Sequence, residues 1–141
     1  MEYYLDDCRN NSELLCKDYL PLSNLLNQNF EHWSFGSGDS CIRLHNADDG
    51  IIFFKTKYGI FIQDLSSMTS PLININESAN TITHYVGGEP FDVPDICLVD
   101  EKEALKILCY SIENKGELHP EYNWVDIYDY IPFRYDEYPK K

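Results

Sequence analysis

The tightest constraint on this chain lies between residues 51 and 65. Ile51-Ile52-Phe53-Phe54 is its longest purely aliphatic or aromatic run, and the apolar pattern resumes at residues 60–65 after Lys57-Tyr58-Gly59. Runs this short suit buried strands rather than helices, and a break of that length containing glycine suits a hairpin loop. The rest of the chain therefore has to be arranged around an antiparallel pair. A run of this length also spans no membrane, since a transmembrane helix needs about 20 apolar residues.

The other elements fall on either side of that pair. Residues 1–6 suit a short strand. Leu15, Tyr19, Leu22 and Leu26 recur at helical spacing, flanked by Leu14 and Leu25. Pro21 inside this stretch predicts either a kink or a fresh helical start with proline in its first turn. Ser34-Phe35-Gly36-Ser37-Gly38-Asp39 reads as a loop, and residues 41–45 as a weakly alternating strand. Residues 66–80 are polar, broken by Pro71-Leu72-Ile73, and are expected to run over the surface. Residues 81–86 alternate as a strand and end in a turn at Gly87-Gly88.

A second helix is the best-marked element. Asp100 is placed to cap it, and Glu103 completes a capping-box pattern. Leu105, Leu108, Cys109 and Ile112 form its inward stripe, and Gly116 stands where a left-handed terminating residue is wanted. A last strand is expected over residues 122–128. The order β-α-β-β-β-β-α-β predicts an α+β fold: a single domain over 1–141, mostly antiparallel sheet packed with two main helices.

Charge bears on partners. The 141 residues carry 24 acidic and 11 basic side chains, a formal charge of −13. Hydrophobic residues at 43% and aromatics at 14% supply enough apolar surface for a core, which excludes a disordered acidic tail. The sign of the charge disfavours direct binding to nucleic acid or anionic lipid and favours a basic partner. The opening MEYYLDD lacks the basic-then-apolar order of a secretory signal. Cys8, Cys16, Cys41, Cys97 and Cys109 are an odd set with no CxxC, as expected of reduced thiols in a cytoplasm.

Candidate chemistry is sparse. Cys41 and His45 are four apart in a strand candidate, more than about 10 Å at 3.3 Å per residue, so one tetrahedral ion would not take both. Besides His45, the histidines are His32, His84 and His119. His84 with Cys97 is the one plausible base and nucleophile, but Cys97 lies between Ile96 and Leu98, where a thiol is raised in pKa and inert. Gly87-Gly88 precedes Glu89-Pro90 rather than a helix N-terminus, so it makes no phosphate cradle. The pairs Asp6/Asp7, Asp48/Asp49, Asp126/Asp129 and Asp136/Glu137 are expected by chance in so acidic a chain, and Asp48-Asp49-Gly50 signals a hairpin before a calcium loop. No catalytic, cofactor-binding or metal residue is assigned, and no cofactor is expected.

Residues 117–138 hold more information. Glu117, Glu121, Asp126, Asp129, Asp136 and Glu137 face Arg134 alone, interleaved with Tyr122, Trp124, Tyr128, Tyr130, Phe133, Tyr135 and Tyr138. On a strand, Tyr122, Trp124, Asp126, Tyr128 and Tyr130 would share one face. That face serves either as core or as a protein-binding surface. In the second reading Glu117, Glu121, Tyr122, Asp126, Tyr128, Asp129 and Tyr130 contact the partner, with aromatics as anchors and carboxylates matching a basic surface.

The stretch His84-Tyr85-Val86-Gly87-Gly88-Glu89-Pro90-Phe91-Asp92-Val93-Pro94 resembles the Tyr-x-Gly-Gly segment of the Imm-one family of bacterial toxin-immunity proteins. A helix, a terminal glycine, a polar turn and a tryptophan-bearing strand follow in that family. Residues 99–112, Gly116, Pro120 and Trp124 keep that order, so the likeness covers about residues 83–126, and residues 127–141 form an extension. The resemblance implies a cytoplasmic antidote that binds a cognate toxin domain delivered by a neighbouring cell. It implies no catalytic residues, and Gly87, Gly88 and Trp124 match as structural positions. A basic toxin acting on nucleic acid, a nuclease or deaminase, would complement the acidic chain. Two other readings are a general acidic adaptor domain and a small thiol or metal enzyme using Cys41, His45 or His84.

Overall fold

A computed structural model describes residues 1–9, 12–44, 49–73 and 80–131. The expected hairpin lies at one end of its main sheet. β4 (Gly50–Thr56) and β5 (Gly59–Asp64) pair antiparallel, with Phe53 opposite Ile62 and Phe54 opposite Phe61. Thr56 closes the turn: its hydroxyl donates to the Gly59 carbonyl at 2.9 Å and accepts the Tyr58 N–H at 3.1 Å. β1 (Tyr3–Asp6), β2 (Leu14–Cys16) and β3 (Ser40–Arg43) complete a five-stranded antiparallel sheet in the order β2-β1-β3-β4-β5.

Register decides which side chains meet. Leu5, Ile42 and Ile51 line up across three strands, as do Ser40, Phe53 and Ile62. This face is buried, and α1 (Leu20–Leu26) and α2 (Glu101–Glu113) belong to its covering layer. Lys55 on the same face reaches Glu101 of α2 at 3.0 Å and the Gln28 carbonyl at 2.7 Å. On the other face, β7 (Thr81–Val86) and β8 (Glu89–Pro94) form a separate hairpin. His84 stacks on Phe54 with ring centres 4.1 Å apart, and Phe91 meets Phe54 and Phe61. A third pair joins β6 (Ser70–Leu72) to β9 (Asn123–Val125). The α+β class, the two helices and the antiparallel pairing are as expected.

Several details differ from expectation. Leu14 and Leu15 belong to edge strand β2, not to a helical stripe, and both are exposed; α1 begins afresh at Leu20 with Pro21 in its first turn. Residues 66–80 contain a buried strand, because Pro71 sits opposite Trp124 in a two-stranded pair where its missing N–H is tolerated. Residues 89–94, read only as part of a motif, are β8. The α2 core stripe is Ala104, Ile107, Leu108, Ser111 and Ile112, while Leu105 and Cys109 are half-buried. Gly116 is left-handed as expected, with φ of 88°, but Lys115 before it is left-handed too, with φ of 56°, and the Gly116 N–H returns to the Ser111 carbonyl at 2.7 Å.

The last strand is shorter than expected. β9 ends at Val125, and the Asp126 carboxylate accepts the Tyr128 N–H at 3.0 Å, turning the chain into a 3-10 helix over Ile127–Asp129. The alternating face proposed for Tyr122, Trp124, Asp126, Tyr128 and Tyr130 is therefore broken at Asp126. The Asp48 part of the Asp48-Asp49-Gly50 turn, His45, and the segment with Phe133, Arg134, Tyr135, Asp136, Glu137 and Tyr138 lie outside the described residues.

Candidate interaction surface

The thiols and histidine that the sequence singled out for chemistry are each held in other roles. Cys97 is fully buried, and burial pushes its thiol up to about 12. His84 is engaged elsewhere, with Nε2 2.7 Å from the Gly38 carbonyl and its ring on Phe54. Cys41 is likewise raised to about 12, first by burial and then by Asp39, Asp6 and Glu13. Thiols held this high are poor nucleophiles at neutral pH. Gly87 and Gly88 form a two-residue hairpin turn with φ of 59° and 82°, as a primed turn requires. The Gly87 N–H donates to the Ser37 carbonyl at 2.8 Å, so this turn docks the hairpin rather than cradling a phosphate.

The C-terminal candidates divide by environment. Asp100 accepts the Glu103 N–H at 2.7 Å, but the Glu103 carboxylate turns to the Tyr122 hydroxyl at 3.1 Å, so only half of the capping box forms. Tyr122 is half-buried with Lys106 over its ring, and Lys106 pairs with Glu121 at 2.6 Å. That ion pair holds the Glu121 carboxyl below its ordinary value. Trp124 is anchored by its indole N–H to the His119 carbonyl at 3.0 Å, and Tyr130 packs against the core. Glu117, Asp126, Tyr128 and Asp129 are exposed, with Tyr128 at 71%. Of the seven residues expected to contact a partner, these four are therefore the ones left exposed and outside an ion pair.

The fold also gathers an acidic region that sequence reasoning missed. Pairing of β1 with β3 sets Asp6 opposite Cys41, with Asp7, Glu13 and Asp39 nearby. Burial pushes the Asp6 carboxyl above its ordinary value, and the charges of Glu13, Asp39 and Asp7 add to the effect. Asp39 is raised as well, mainly by burial. Arg43 neutralises Glu13 through bonds of 3.0 and 2.6 Å, whereas Asp6 and Asp39 have no ion pair among the described residues. The only signal in the sequence was the adjacent pair Asp6-Asp7; Glu13 and Asp39 join it through strand pairing. In all, five ion pairs form among the described residues, and since each joins one acid to one base the net charge of −13 stands whatever pairs form.

Compared with known proteins, the chain matches no protein-family model and no curated protein.

Proposed function

We propose that this chain is an immunity-type inhibitor that binds a basic toxin domain acting on nucleic acid and neutralises it in the cytoplasm without catalysis. The observation that carries the reading is the carboxylate excess left unneutralised by the fold. Like charges held together at Asp6 and Asp39 disfavour the free surface, and a cationic partner relieves that repulsion. Opposite net charges also accelerate encounter, which suits capture of a toxin before it acts. The segment over residues 83–126 that resembles the Imm-one family supplies the biological context.

The partner surface is assigned to Glu117, Asp126, Tyr128 and Asp129, with Asp6 and Asp39 as a second acidic region. Tyr122 and Tyr130 are half-buried and Glu121 is held by Lys106, so they stand outside this surface. Co-purification with the protein encoded immediately upstream, followed by assay of that protein on DNA and RNA, tests the reading. A stable complex with loss of nuclease or deaminase activity is expected. An adaptor would bind without protecting toxin-expressing cells, so rescue of growth separates the two.

A further inference from the structure

Where β1 ends, three unlike ligand atoms converge. Asp7 and Cys8 follow the strand directly, and His32 arrives from the 3-10 turn over Phe30–Ser34. A carboxylate oxygen of Asp7, the Cys8 sulfur and a ring nitrogen of His32 all lie within 4.8 Å of one another. His32 Nε2 already stands 2.7 Å from Asp7 Oδ1, and the Cys8 thiol points at the His32 carbonyl, 3.4 Å away. Asp7 and His32 also line a cavity of about 250 Å³ shared with Leu5, Pro21, Leu25 and Gln28, whereas Cys8 is buried behind them.

We propose that Asp7, Cys8 and His32 form a zinc-binding site whose fourth position opens into this cavity. A thiolate, an imidazole and a carboxylate are donors that zinc accepts together, while calcium and magnesium demand oxygen ligands. A tetrahedral zinc with bonds of about 2.0–2.3 Å sets its donors roughly 3.3–3.8 Å apart, so the Cys8 sulfur needs to approach by no more than about 1 Å while the Asp7 and His32 atoms part by roughly half an ångström. On binding, the Cys8 proton is released to solvent, the proton that His32 Nε2 shares with Asp7 leaves that nitrogen so that the neutral imidazole carries its hydrogen on Nδ1, and the Asp7–His32 hydrogen bond is replaced by one bond from each residue to the metal. Water or a partner side chain fills the open position. The site is independent of the toxin-binding reading.

The full chain, dialysed against chelator and titrated with Co²⁺, tests this. One equivalent of cobalt is expected to produce a thiolate charge-transfer band and intense tetrahedral ligand-field bands, both abolished by added Zn²⁺. Cys8→Ser removes the charge-transfer band and His32→Gln weakens binding roughly tenfold or more, while Cys41→Ser changes neither. Because Cys8 is buried, the half-exposed Asp7→Asn provides a second variant; folded by circular dichroism, it binds cobalt more weakly. Absent bands in the unmodified chain, bands surviving Cys8→Ser, or undiminished affinity in folded Asp7→Asn overturns the proposal.

Discussion

Much of the acidity in this chain acts locally before it can act on a partner. Asp100 and Asp126 each accept an N–H at the start of a helical turn, at 2.7 and 3.0 Å. Asp100→Ala leaves that donor of α2 unmet and is expected to cost about 1 kcal/mol in urea denaturation. Titration separates two other groups of carboxyls. Lys55 holds Glu101 below its ordinary value near 4.5, so its contribution is present above that value and is lost as pH falls through the depressed one. Glu101→Gln should therefore lower stability at neutral pH and flatten the acid limb of the stability profile. Asp39 runs in the opposite sense. Its folded pKa is raised above 3.8, mainly by burial, so the fold is penalised as pH rises from 3.8 through the raised value. Asp39→Asn is expected to raise the denaturation midpoint at neutral pH and leave it unchanged in strong acid.

At the scale of elements, the β7–β8 hairpin is held to the sheet by few groups, and Gly38 is one of them. Gly38 has φ of 82°, and a Cβ there would overlap the Tyr85 carbonyl; at Gly88, also at 82°, a Cβ meets nothing. Gly88→Ala should cost about 1–2 kcal/mol from backbone strain alone. Gly38→Ala should cost more and speed hydrogen exchange across Thr81–Val86, because the hairpin must shift. Equal costs would mean that the close approach at Gly38 does not hold the hairpin. The same contrast shows what the sequence revealed. Hairpin β4–β5 and helix α2 were legible because their signals are local: an apolar run beside a glycine, and a capping aspartate. β6 was hidden because Pro71 argues against a strand unless its partner, β9, is known. The broken strand at Asp126 was hidden because aromatic alternation continues through residues that the aspartate turns aside. The Asp7–Cys8–His32 trio was invisible to spacing, since 24 positions separate its last two members.

For the whole molecule, net charge governs encounter rather than fold. Among the described residues, no helix is long and apolar enough to cross a membrane. Reversing charge at Asp126 and Asp129 together, both to lysine, should slow association with a basic toxin domain about tenfold or more at low salt, and should cost about 1 kcal/mol of stability through loss of the Asp126 cap on the Tyr128 N–H. Stopped-flow mixing and urea denaturation read the two effects separately. The most direct measurement is the association of the purified chain with the protein encoded immediately upstream, the proposed toxin, across increasing salt, alongside that protein's activity on DNA and RNA. A 1:1 complex that silences the toxin, with an on-rate falling steeply as salt rises, is predicted. No complex at low salt, or an on-rate indifferent to salt, contradicts the account.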